Sequence, residues 1–343
     1  MTVKISRRQF VQASAAALPL SMMAAKAAEA KKSLIGGVEI GVQTYSYHDI
    51  LNDSQNHADQ VIQKMQACGL YSCELFSPQI EHSNFTGRLP ADCPKPFLGC
   101  PAGKGGSARN PWAWEFARAQ GKDQEAARAK EKQWRETVSL DYFTAIRKKF
   151  NDAGMTIYSY NPMWNMEWSD KEIDRTFQFA KALGAKAVNT STQFAVFKRL
   201  VPFAEKNQII VAAHGHGVTW DPEEFSSEAT FERVFALSKW VGANLDIGHY
   251  SATGANPVEF IKKHHARIAN LHLKDRKKNH SNTEEDGATV PWGQGETPIK
   301  EVLQLLKKEK YPIPAFIEYE YTGTADPVGE VKKSVELCKQ YLA

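Results

Sequence analysis

The sequence predicts an α/β protein, a single-domain (β/α)8 TIM barrel with a long rim insertion after its second strand. Two observations lead there. From residue 37 onward, eight short apolar runs alternate with longer helical patterns, and metal-binding and acidic side chains collect where the later runs stop. Eight strands, each followed by a helix, favour a closed parallel barrel over a doubly wound sheet, and 343 residues is an ordinary length for one such domain.

The chain opens on Ser6-Arg7-Arg8-Gln9-Phe10-Val11, followed by an uncharged Ala-rich run over 13–25 and the small-residue patterns Ala25-Lys26-Ala27 and Ala28-Glu29-Ala30. That order of basic, apolar and small-residue regions predicts a twin-arginine signal peptide over 1–30, and hence a periplasmic or otherwise exported protein handled by the twin-arginine export machinery. No later stretch has the apolar length of a membrane span, so no membrane association is expected after signal removal. The formal charge of +4 includes Lys4, Arg7, Arg8 and Lys26 against Glu29, and without the leader it falls to about +1. So small a bias argues against a nucleic-acid partner. Five cysteines without metal-type spacing exclude a zinc cluster, leaving Cys93 and Cys100 as a candidate bridge or as free thiols.

The barrel is expected over 37–343. Its strands are predicted at 40–44, 72–76, 156–160, 187–189, 209–213, 243–247, 268–273 and 315–319. Helices fill most gaps, including 231–241, 258–265 and 328–342. Ile299, Val302, Leu303 and Leu306 form one apolar stripe at i, i+3, i+4, i+7 spacing. Gly69, Gly154 and Gly184 precede strands and suit the ends of helices. Residues 78–123 break the rhythm with Pro, Gly, Asn and Trp. A loop that long is expected to be a lid on the C-terminal rim, where barrel active sites lie.

Polar residues mark the strand ends: His214 and His216 on the fifth, Asp246 and His249 on the sixth, His272, Lys274 and Asp275 on the seventh, Glu318 and Glu320 on the eighth. Residues two apart in a strand share a face, so neighbouring strands would present imidazoles and carboxylates to one point. Such a donor set suits a divalent transition ion with open positions for substrate.

With these residues the chain resembles the xylose-isomerase-like superfamily, also known as sugar phosphate isomerases/epimerases. The resemblance rests on Leu245-Asp246-Ile247-Gly248-His249, Leu271-His272-Leu273-Lys274-Asp275, Trp292-Gly293-Gln294-Gly295, Ile317-Glu318-Tyr319-Glu320 and a second strand around Glu74. It implies Asp246, His272 and Glu318 as metal ligands, with His249 and Glu74 toward substrate. Where the familiar ketose epimerases place a metal-binding, proton-moving Glu on the fifth strand, this chain has His214. Imidazole keeps the metal site, with His214 as its fourth ligand, but a two-carboxylate proton shuttle does not carry over. Glu318, Glu320, His216 and Lys274 remain candidates for the base. Tyr45, Trp164 and Trp292 are expected to line a sugar site, with Trp112, Trp114, Trp168, Trp220 and Tyr47 as further rim aromatics.

The expected chemistry is enolisation beside a carbonyl, with an ion stabilising the enediolate. Manganese is the first expectation, with cobalt, zinc or magnesium as alternatives. Export points to a non-phosphorylated sugar or keto sugar, because sugar phosphates are kept in the cytoplasm. An isomerase or epimerase comes first and a lyase on 3-keto-glycosides second. The alternative from another class is a catalytically inactive periplasmic sugar-binding barrel. A homo-oligomer is compatible with any of these.

Overall fold

A computed structural model of the chain describes residues 33–50, 55–82, 122–164, 166–281, 287–321 and 326–343. The expected leader, Cys93, Cys100, Trp112, Trp114 and nearly all of the 78–123 insertion lie outside the described residues. Eight parallel strands pair in chain order: β1 (Val38–Gln43), β2 (Ser72–Phe76), β3 (Thr156–Asn161), β4 (Ala187–Ser191), β5 (Ile210–His214), β6 (Val241–Asp246), β7 (Ile268–Leu273) and β8 (Ala315–Ile317). β8 pairs with β1, Ala315 opposite Ile40, and β1 with β2, Gln43 opposite Glu74, which closes the barrel. All eight predicted strands are present, each within three residues of its expected ends.

Around the barrel run α1 (Ala58–Cys68), α2 (Lys122–Thr137), α3 (Leu140–Asp152), α4 (Asp170–Leu183), α5 (Phe194–Asn207), α6 (Glu228–Phe235), α7 (Ile247–Ala252), α8 (Pro257–His264), α9 (Ile299–Glu309) and α10 (Pro327–Tyr341). Outward strand residues such as Val42, Leu75, Val188, Leu245 and Leu271 are buried beneath them. The stripe on α9 is buried as its spacing predicts. Gly69 and Gly184 end α1 and α4 in the left-handed region, at φ 69° and 78°.

One helix is shorter than expected. The pattern over 231–241 predicts a helix to the edge of β6, but α6 stops at Phe235. Arg267 causes the stop, because its guanidinium donates to the carbonyls of Phe235 (3.0 Å), Ser238 (2.8 Å) and Val241 (2.6 Å). Those oxygens would otherwise need further helix or water.

No described helix is long and apolar enough to cross a membrane. The three described cysteines, Cys68, Cys73 and Cys338, are buried free thiols. Beyond β7, Asp275–Arg276 pairs antiparallel with Thr289–Val290. The Asp275 carboxylate then accepts the backbone N–H groups of Gly293 (2.8 Å), Gly295 (2.9 Å) and Thr297 (3.2 Å), which fixes the Trp292–Thr297 turn.

Arg135 anchors α2 to the barrel rim. It is buried, stacks 3.8 Å over the Trp168 ring, and lies 3.1 Å from Glu81, 3.5 Å from Glu131 and 3.3 Å from Glu172. Burial pushes the Glu81 carboxyl up, and Arg135 and the Tyr160 hydroxyl oppose that push. Removing the cation from so enclosed a set is costly. Arg135→Ala is expected to destabilise the protein by about 3–5 kcal/mol. Urea denaturation checks this, and a loss below about 1 kcal/mol, the level of an exposed ion pair, would contradict it.

Candidate metal centre and active site

The strand ends bring His214, Asp246 and His272 together, with one ligand atom from each lying within 4.8 Å of the others. Glu318 adjoins them, its Oε2 2.8 Å from His272 Nδ1. Asp246 is placed by local sequence: it caps α7, its Oδ1 accepting His249 N–H at 2.7 Å, which turns Oδ2 toward the centre. Gly248 permits this turn, since a Cβ there would lie 2.6 Å from the Lys274 carbonyl oxygen. Gly215 plays the same part between His214 and His216, where a Cβ would lie 1.8 Å from the Phe225 carbonyl oxygen.

These residues suit a divalent cation on two grounds. Asp246 Oδ2, His272 Nδ1 and Glu318 Oε2 are buried and mutually close, yet none makes a well-aligned hydrogen bond. The charge also fails to balance. Lys274 Nζ lies 3.1 Å from Asp246 Oδ2, 3.0 Å from Glu318 Oε2 and against Glu320, so three carboxylates share one ammonium. Buried negative charge in such excess calls for a further cation. A mixed nitrogen and oxygen donor set suits manganese, cobalt or zinc.

Ionisation follows the same field. Burial opposes charge at Asp246, but Lys274 and His249 hold its carboxyl at about 2. Burial would lower His272, yet Glu318 and Glu74 on either side of the ring hold it well above the ordinary histidine value. His214 is lowered by burial and by His272. Burial works against the Lys274 ammonium, and the three carboxylates overcome it and keep the lysine charged. Lys274 is therefore a poor candidate for the base.

A second histidine triad, His214, His216 and His249, is equally compact. His249, however, has Lys274 Nζ 3.2 Å from Nε2 and Arg276 Nη1 3.0 Å from Nδ1. Burial and these two cations push its pKa well below the usual value. Neither ring nitrogen is open to an ion. A third group, Glu228, Glu232 and His264, sits on the outer helices, where Lys263 bonds both carboxylates.

The cleft above the centre is lined by His214, His216, His272, Lys274, Glu318 and Glu320, with Gln43, Tyr45, Phe76, Asn161, Met163 and Ser191 around them. Tyr45 and Phe76 meet edge to face at 5.2 Å and form its aromatic wall.

Four residues expected at the substrate lie elsewhere. Glu74 is fully buried beneath the cleft, where Gln43, Ser159, Asn189, Asn270 and His272 all donate to its carboxylate. His249 is enclosed behind Lys274 and packs on His216 at 4.6 Å. Trp164 is core, stacked on Phe177 at 5.2 Å, and Trp292 packs against the core from the Asp275-held turn. Among the further aromatics, Tyr47 is buried with its hydroxyl on Cys68, and Trp168 lies under Arg135. An aromatic near a strand end has the same composition whether it faces a ligand or fills the core, so sequence alone could not separate them. Asn189, Asn244 and Asn270 were not singled out from sequence. The signal was a polar residue inside a strand, two residues before a site residue for Asn244 and Asn270 and mid-strand for Asn189.

Residues 116–341 match the family model for the xylose isomerase-like TIM barrel. The chain belongs to this family. Solved structures similar to this xylose isomerase-like barrel include a sugar phosphate isomerase/epimerase from Parabacteroides distasonis, at 15% identity and TM-score 0.54, covering 92% of this chain and 99% of that one. An IOLI protein with a zinc atom bound is also similar, at 15% identity and TM-score 0.55, covering 88% and 98%. A third is a probable 3-DHS dehydratase, AsbF, from Bacillus anthracis, at 11% identity and TM-score 0.53, covering 87% and 97%. Identities this low bear on the fold alone. No curated protein matches the chain significantly.

Asp246→Ala and His272→Ala are each expected to lose bound divalent metal while keeping the circular dichroism of the barrel. Full metal content in both variants would contradict the centre. Metal uptake near pH 7 should also release a proton, because His272 is held protonated without the ion. Calorimetry in buffers of different ionisation enthalpy reads that proton directly.

Proposed function

We propose that the protein is a metal-dependent isomerase or epimerase that moves a proton beside the carbonyl of a non-phosphorylated sugar or keto sugar. The convergence of His214, Asp246, His272 and Glu318 at the base of a polar cleft carries this reading. A divalent ion held there, manganese by preference, would polarise a carbonyl and an adjacent hydroxyl and so acidify the neighbouring C–H. The chain's own groups supply the rest. Lys274, kept charged, offers positive potential to a developing oxyanion. Glu318 is committed to the ligand set, which leaves Glu320 and His216 on the cleft wall to take and return the proton.

The cleft's cations support an uncharged substrate. Among the described residues lining it, Lys274 is the single permanent cation, and three carboxylates already engage it. A phosphate would meet a negative field, and the described lining residues include no guanidinium to hold it. The twin-arginine pattern at Arg7-Arg8 supports this reading, because export would take the enzyme away from sugar phosphates.

The 3-keto-glycoside lyase stands second, and one observation favours it. With His214 in place of a second acidic group and Lys274 held protonated, Glu320 is the one carboxylate left free of the ligand set. A single base suffices to remove a proton and let a leaving group depart, whereas epimerisation needs a proton delivered to the opposite face.

Incubation with uncharged keto sugars, 3-keto-glycosides and sugar phosphates, followed by product analysis, tests the proposal. One isomeric product supports the first reading and two products the second, while turnover of sugar phosphates alone would overturn the substrate class. Glu320→Gln is expected to lower kcat by about 10²–10⁴-fold with metal content unchanged. Burial raises the Glu320 carboxyl above its usual range, with Lys274 opposing. Activity needing the ionised form should therefore fall with decreasing pH at a point above the ordinary glutamate value of about 4.3. A kcat unchanged in the variant would remove Glu320 from the mechanism.

A further inference from the structure

We infer that Asn244 and Glu74 are positioning residues that lock His214 and His272 in opposite tautomers, so that one presents Nε2 and the other Nδ1 to the same ion. This rests on the metal reading above.

Each imidazole is gripped from below by one acceptor. His214 Nδ1 lies 2.8 Å from Asn244 Oδ1, and His272 Nε2 lies 3.0 Å from Glu74 Oε2. Both acceptors are fully buried. An amide oxygen and a carboxylate can only accept, so the facing ring nitrogen must carry the hydrogen. The lone pair then falls on His214 Nε2 and, once an ion displaces the second ring proton, would fall on His272 Nδ1, the nitrogen that lies 2.8 Å from Glu318 Oε2.

Two further observations set these residues apart from ordinary barrel filling. The Asn244 amide nitrogen is buried with no hydrogen-bond partner among the described residues, so the side chain carries a desolvation cost that a leucine of similar shape would avoid. The recorded hydrogen bond of this side chain is the one to His214. The strand ladders also slip at these two positions. The β2–β3 register shifts between Cys73 and Glu74, and the β6–β7 register shifts between Ala243 and Asn244. Register breaks of this kind re-aim side chains beside active sites. Here each break falls immediately before the residue that holds a histidine.

The two acceptors differ in charge. The Glu74 carboxyl group is the stronger acceptor and strengthens His272 as a donor to the ion, while the Asn244 amide leaves His214 a weaker ligand. The centre thus gains one strongly and one weakly donating imidazole, tuned by residues that do not touch the ion.

Asn244→Leu and Asn244→Asp test this, read by Zn²⁺ affinity in competition with a chromophoric chelator and by ¹⁵N–¹H NMR of the histidine side chains in metal-free protein. Asn244→Leu should fold with a Tm at or above that of the wild type. Its Zn²⁺ affinity should fall by about 10–100-fold, and His214 should become a mixture of tautomers. Asn244→Asp should keep Nδ1–H on His214 and bind Zn²⁺ at least as tightly as the wild type. Unchanged affinity in Asn244→Leu, or equal weakening in both variants, would overturn the inference while leaving the metal centre standing. A wild-type protein that takes up no Zn²⁺ would overturn the metal reading and this inference with it.

Discussion

Four carboxylates enter the interior of this barrel, and their containment organises what lies around them. Glu74 is satisfied by five donors drawn from β1, β3, β4 and β7, which ties strands across the barrel below the site. Asp246, Glu318 and Glu320 converge on Lys274 above it. Isolated buried carboxylates would take up protons or unfold the site. Here the excess negative charge is retained at the C-terminal rim, where a divalent ion would complete it. The same excess keeps Lys274 charged and holds His272 above its usual value, so the ionisation states follow from the packing of charge.

His214 is the point at which this chain departs from the pattern it otherwise resembles. A carboxylate there would add a fifth negative charge and a second proton carrier. An imidazole keeps a ligand and removes both. In the proposed mechanism that exchange would shift the proton chemistry onto Glu320 and His216, and the ring it introduces is held by the Asn244 amide oxygen at 2.8 Å.

The strands were legible in the sequence because parallel barrel strands are buried on both faces and form short apolar runs bounded by turn residues. The convergence of His214, Asp246, His272 and Glu318 was legible because four consecutive strands end in polar residues that spacing places on one face. Other features depended on distant partners. The early end of α6 is set by Arg267, more than thirty residues beyond Phe235. Glu74 looked like a substrate contact from its strand position alone, whereas its burial comes from donors on four other strands. Asn244 passed as part of an apolar run, since one amide in Ala-Asn-Leu-Asp carries no periodic signal until the facing strand is known. The rim aromatics were half-legible, with Tyr45 in the cleft wall and Trp164 in the core.

In the proposed mechanism, a metal held at this centre would let the chain remove a proton beside a sugar carbonyl, whichever product follows. The most direct test incubates metal-loaded and metal-stripped protein with uncharged keto sugars and 3-keto-glycosides in D₂O and reads deuterium incorporation by mass spectrometry. Deuterium at the carbon next to the carbonyl in product or recovered substrate, seen only with metal, is the predicted result. Product formed without exchange, or exchange unaffected by removing the metal, would contradict the account.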